Sequence, residues 1–281
     1  MKTFKRNLLK SALEAGFAVA AIGLASAAMA DPISYLPGNT DLSIKFVNRE
    51  VAAAPIGSGA PIGSELFGLL NITQFNNFDS SVTFWNGNGA TDGKQLVGYF
   101  ENLTAVADQT GGTGLSFTGG NGALYLVNNG SFRPGVNPNT KDYANQLCGG
   151  ACPAPWLTFN FVPGINDAIN KNASIQSAVA TTNVNAGFGY LSVTGGTNMA
   201  TFDTNSFTFT NFGPADMSFR SNFVLANNSP GSSCTSTTSN GWQVCSDDPL
   251  TAKTVPEPAT LALLGLGLLG MGASLRKRKA V

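Results

Sequence analysis

Histidine is absent from the 281 residues, and only 11% of them are Asp, Glu, Lys or Arg. Without an imidazole, Ser-His-Asp and Cys-His nucleophiles, His-ligated zinc and histidine acid–base chemistry are excluded. Cysteine is scarce too: the four are Cys148, Cys152, Cys234 and Cys245. They form no Cys-x-x-Cys redox pair, and the Cys148–Cys152 spacing is wrong for most zinc knuckles. Basic charge is missing where nucleic acid would need it. Residues 31–250 hold 7 basic and 14 acidic side chains, a net of −7. A body that acidic binds phosphates poorly, so no nucleic-acid partner is expected. The carboxylates are scattered, with Asp247-Asp248 the one adjacent couple, and solvated loop positions explain them better than a glycosidase pair. The expectation is therefore a protein that is not an enzyme, with no catalytic residues, no metal and no cofactor.

What the chain does have is concentrated at its ends. Lys2, Lys5, Arg6 and Lys10 precede an apolar run from Ala15 to Ala28, and Ala28-Met29-Ala30 then places small residues at −3 and −1. That pattern is a secretory signal over residues 1–30, cut by signal peptidase to leave Asp31 as the first mature residue. At the other end, residues 251–281 contain Val255-Pro256-Glu257-Pro258, an uncharged run from Ala259 to Leu275, and Arg276-Lys277-Arg278-Lys279. Seventeen uncharged residues give a helix of about 25 Å, the lower limit for a transmembrane span. The basic cluster holds the cytoplasmic side, which puts residues 31–258 outside the inner membrane. Gly265-Leu266-Gly267-Leu268-Leu269-Gly270 matches G-x-G-x-x-G by letter. It follows no strand and has no acidic residue after it, so a small-residue stripe of a membrane helix accounts for it.

Proline-Glu-proline, a short span and a basic terminus together resemble the PEP-CTERM sorting signal over Val255 to Lys279. That resemblance implies recognition by exosortase, a membrane cysteine protease/transpeptidase of exopolysaccharide-producing Gram-negative bacteria. It also implies that the inner-membrane span is transient and is cut near the Pro-Glu-Pro.

Between the ends, period-two alternation dominates. Leu42, Ile44 and Phe46 alternate with polar neighbours, as do Leu157, Phe159 and Phe161, and Met217 and Phe219. Turn clusters such as Asn86-Gly87-Asn88-Gly89, Gly119-Gly120-Asn121-Gly122 and Gly195-Gly196 separate about ten short strand candidates. The expected fold is all-β: one secreted domain over residues 31–250, an antiparallel two-sheet β-sandwich or jelly roll. A helix over Asp167–Ala180 is the one exception. The exported cysteines are expected as local disulfides, Cys148–Cys152 and Cys234–Cys245, although four cysteines allow three pairings. Trp85 and Trp242 sit beside polar loops, where their rings could stack on sugars; core packing is the alternative. The loop Asn86–Gly93 has one carboxylate where a calcium loop needs several.

Within the body, Gly98-Tyr99-Phe100 and the stretch Leu115 to Leu126 are similar to the flocculation-associated PEP-CTERM proteins. The strands around Asp216-Met217-Ser218-Phe219 resemble their closing strands. This implies a surface or extracellular-matrix protein that helps cells aggregate within exopolysaccharide, supporting flocculation or biofilm formation. A discrete glycan-binding module is the alternative, and a matrix polysaccharide hydrolase comes third.

Overall fold

The computed structural model describes residues 40–52, 63–87, 93–106, 114–134, 141–165, 172–178, 185–209, 213–225, 242, 244–255 and 268. In chain order the strands are β1 (Asp41–Ala52), β2 (Glu65–Asn77), β3 (Thr83–Asn86), β4 (Lys94–Val106), β5 (Gly114–Asn128) and β6 (Leu157–Phe161). Then come β7 (Ile175–Ala178), β8 (Asn185–Gly195), β9 (Phe207–Phe209), β10 (Gly213–Ala215), β11 (Met217–Leu225) and β12 (Val244–Lys253). Two short helices, α1 (Tyr143–Cys148) and α2 (Met199–Phe202), interrupt them.

The expected two-sheet sandwich is overturned by the pairing of β1. On one side it hydrogen-bonds to β12 from Asp41 to Glu50, and on the other to β2 from Leu42 to Ala52. The path β1-β12-β11-β8-β6-β5-β4-β2 therefore returns to β1, and the sheet closes into an eight-stranded antiparallel barrel. β7 lies between β5 and β8 as β6 does, beside other residues of those strands. β3 hangs on β2, and β9 and β10 form a separate hairpin. Closure removes the free edges that an open sheet exposes along this path.

Two local expectations fail for the same reason, that tertiary pairing outranks local signals. Within the stretch expected as helix, Ile175–Ala178 is strand, because Ile175 pairs with both Phe117 and Gly189. The supposed turn Gly119-Gly120-Asn121-Gly122 lies inside the continuous strand β5. Gly122 is paired to both Phe100 and Phe159, and a Cβ there would come within 2.8 Å of the Phe159 ring. Gly120, at φ +100°, faces Leu103 and Phe161. Large rings packed over glycines on neighbouring strands let the sheet curl tightly enough to close.

Bulges complete the curvature. Register shifts between Lys45 and Phe46 and between Leu66 and Gly68 each insert one extra residue in a neighbouring strand. The extra residue in β4 falls beside Asn102, at φ 61°. The extra residue in β2 resets its phase between Ile72 and Phe75, so Leu66, Leu70, Ile72 and Phe75 all point to the interior despite uneven spacing.

The interior is aromatic, and one end is plugged. Phe75, Trp156 and Phe202 pack together, with ring centroids 6.1 Å apart for the first pair and 5.3 Å for the second. Trp85 packs edge-on to Phe75 at 5.7 Å. Each ring buried this way contributes about 1.5–3 kcal/mol. A second core lies outside the barrel wall. Val51, Phe67, Leu69, Val97 and Val127 are covered there by Leu147 of α1 and by Trp242. Asp142 caps α1 by accepting the Asn145 N–H, and Gly149 ends it at φ 67°.

Among the described residues no helix is long and apolar enough to cross a membrane. The expected span over 259–275 lies outside the described residues except for Leu268. The signal segment 1–30, with Ala28, Ala30 and Asp31, also lies outside them.

Candidate functional site

The outer wall formed by β6, β8 and β11 carries a surface with two outward aromatic side chains. Strand alternation sends Leu191 and Val193 of β8 inward, and Phe188, Tyr190, Ser192 and Thr194 outward. Phe188 is 38% exposed, and Tyr190, two residues on, is half-buried on the same face. Register places Asn160 opposite Ser192, Ser218 opposite Tyr190, and Arg220 opposite Phe188. Thr158 and Thr194 share a hydrogen bond of 3.0 Å between their hydroxyls. The result is two aromatic rings set among short neutral hydrogen-bonding groups, with the charge of Arg220 beside Phe188.

Sequence reasoning missed this surface. The signal was present in Gly187-Phe188-Gly189-Tyr190, whose aromatic phase is opposite to that of Leu191 and Val193. The tryptophans beside polar loops are the stronger cue in the sequence, and both are buried. The structure places Trp85 at 7% exposure against Phe75 and Trp242 at 4% within the outer core, its Nε1 donating to the Pro134 carbonyl at 2.5 Å. Neither indole presents a face to solvent.

A charged cluster lies over β2 and β4. Lys141 Nζ sits 2.6 Å from Glu65 Oε1 and 3.5 Å from Glu101 Oε2, and 5.2 Å from the centre of the Phe67 ring. Burial lowers the Lys141 pKa, but hydrogen bonds and charge from Glu65 and Glu101 outweigh it and leave it raised. Tyr143 stacks on Tyr99 at 4.0 Å and donates to Glu101 Oε2 at 3.1 Å. Burial, then the Glu101 charge, pushes the Tyr143 hydroxyl well above the ordinary phenol range. With both carboxylates held by one ammonium, the arrangement clasps α1 to the barrel. Among the described residues no cluster of Cys, Asp and Glu has the make-up of a metal site.

Cys148 and Cys152 are bonded to each other, with Cα atoms 5.1 Å apart, behind α1. Cys245 is on β12, while Cys234 and the side chain of Cys245 fall outside what is described. β12 runs to Lys253, beyond the expected domain end at 250. Past it, Val255 donates its N–H to the Thr201 carbonyl at 2.9 Å and is 37% exposed. Pro256, Glu257, Pro258 and the tail Arg276, Lys277, Arg278 and Lys279 lie outside the described residues.

Comparison with known proteins adds one finding at this end. Residues 254–279 match the family model of the PEP-CTERM protein-sorting motif. The motif implies processing by exosortase and export to the envelope or surface of a Gram-negative bacterium. No curated protein and no solved structure matches the chain, so the likeness to flocculation-associated proteins has no homologue behind it.

Proposed function

We propose that this chain is a non-enzymatic exported matrix protein that supports exopolysaccharide-dependent flocculation or biofilm formation. In this reading signal peptidase releases it at Asp31, the inner-membrane span is transient, and exosortase completes its sorting. The observation that carries the reading is the β6–β8–β11 face. Phe188 and Tyr190 offer ring surfaces to the C–H faces of sugars, and Asn160, Ser192 and Ser218 offer hydrogen bonds to their hydroxyls. Such contacts are weak and wet, and repetition along a polymer makes them hold.

Deleting the protein is expected to leave polysaccharide secretion intact and the cells dispersed. Restoring it with Phe188→Ala and Tyr190→Ala together is expected to leave them dispersed while the protein still reaches the surface. Unaltered flocs in the deletion strain would overturn the proposal. A discrete glycan-binding module differs in predicting saturable binding to one defined oligosaccharide.

A further inference from the structure

We infer that the barrel lumen is a binding site for a small uncharged amphiphile, one ring or a short alkyl chain bearing a hydroxyl group. Neither the sorting signal nor the outer β6–β8–β11 face takes part in this site. Inside the barrel lies a cavity of about 100 Å³. Phe46, Leu70, Phe117, Phe159, Leu191 and Phe219 are among its walls. For scale, an engineered apolar cavity of about 150 Å³ stays dry and takes up benzene. One ring or a chain of similar bulk is therefore the right size.

The cavity is polarised along the barrel axis. At one end, Phe75, Trp156 and Phe202 close it with the aromatic plug. Moving away from that plug along β1, the inward residues are Ile44, Phe46, Asn48 and Glu50. The register places Ser246 of β12 opposite Asn48, and Gly187 of β8 opposite Ser221 of β11. Polar side chains thus collect at the end opposite the plug. Ser246 donates to Asn48 Oδ1, and Asn48 Nδ2 donates to Glu50 Oε1 at 2.5 Å.

Ser221 is different. It lines the same cavity at 7% exposure, and its Oγ has no hydrogen-bond partner. A buried hydroxyl is rarely left unpaired, because the cost of desolvating it is not recovered. A guest hydroxyl at this end would supply the partner. Among the described residues, Glu50 is the one charged side chain lining the cavity. Its carboxylate accepts hydrogen bonds and repels anions, so it selects an alcohol or phenol over a carboxylic acid. An ammonium head would exchange its full hydration for one carboxylate that already accepts from Asn48, a poor return for a buried charge.

The test uses the full chain held in amphipol, with para-bromophenol as probe and tryptophan emission as readout. Trp156 lines the cavity, so bromine entering the lumen quenches it. Saturable quenching is expected, with para-bromobenzoate and para-bromobenzylamine each at least about tenfold weaker. Ser221→Ala should weaken the phenol about fivefold and leave para-bromotoluene unchanged, because only the phenol uses the hydroxyl. That variant is expected to fold at least as well as the native chain, since it removes an unsatisfied group. Leu70→Phe, which fills the cavity, should abolish saturable quenching. Any one of three results overturns the inference: non-saturating quenching by the phenol, equal or tighter binding of the acid or amine, or no effect of Ser221→Ala.

Discussion

Asp216 accepts the backbone N–H of Asn205 at 2.6 Å, from a carboxylate with no exposed surface. The same Oδ1 accepts the N–H of Thr204 at 2.7 Å, and Oδ2 accepts that of Val193 at 2.7 Å. Asn205 sits at φ 50°, a left-handed conformation that Asn tolerates better than most residues. One side chain therefore ties the turn after α2 to the C-terminal part of β8. Asp216→Asn keeps the shape but turns an amide donor toward one of these donors. A loss of about 2–4 kcal/mol is expected, read as a lower urea midpoint with an unchanged slope. Asn205→Gly should be close to neutral, and Asn205→Val should cost about 1–3 kcal/mol.

Barrel closure should be sensitive to bulk at Gly122, which pairs with Phe100 and Phe159 and sits under the Phe159 ring. Gly122→Val is expected to cost about 3 kcal/mol, because the Phe159 ring and the Tyr99 carbonyl both stand where the new Cβ would go. A Gly122→Val protein whose thermal midpoint matches the native one would show that the rings are not holding the curvature.

Alkaline pH should loosen the clasp around α1. Burial, then the neighbouring Tyr125 and the Glu101 charge, pushes the Tyr99 hydroxyl up to about 12. The folded state therefore keeps a proton that the unfolded chain releases near pH 10. Stability from this group is complete below about pH 10 and is lost as pH rises through about 12. Thermal midpoints should fall across that window, and Tyr99→Phe should flatten the fall. An equally steep decline in Tyr99→Phe would assign it elsewhere, Tyr143 being the next group to test.

Replacing Cys148 and Cys152 with serine opens a ring of sequence separation 4. For so short a loop the chain-entropy model gives a loss of about 2 kcal/mol. The effect should be local, with faster amide exchange in α1 than in β4 or β5. Uniformly faster exchange would mean that the outer core and the barrel unfold together.

Much of the wall was readable in advance. Leu42, Ile44 and Phe46, like Leu157, Phe159 and Phe161, announce their inward faces by simple alternation. Closure was not readable, because nothing local marks β1 as paired on both sides. Beyond Phe46 its inward positions are Asn48 and Glu50, which look like the end of a strand. The glycines of β5 looked like a turn, since their role depends on Leu103 of β4 and on the Phe159 and Phe161 rings of β6. For the surface, tryptophan beside polar loops was a misleading cue. Trp242 is buried by α1 and its neighbours, residues distant in sequence, whereas Phe188 and Tyr190 are exposed by strand phase alone.

The last strand gives the molecule a mechanical character. β12 is hydrogen-bonded to β1 on one flank and to β11 on the other, and it stops at Lys253, immediately before the sorting motif. A pull from that terminus along the strand loads the ladders in parallel, as shear, instead of peeling them one bond at a time. Under such a pull the load is borne by the whole seam from Asp41 to Glu50, so the barrel should stay shut under a tension that would unzip a hairpin.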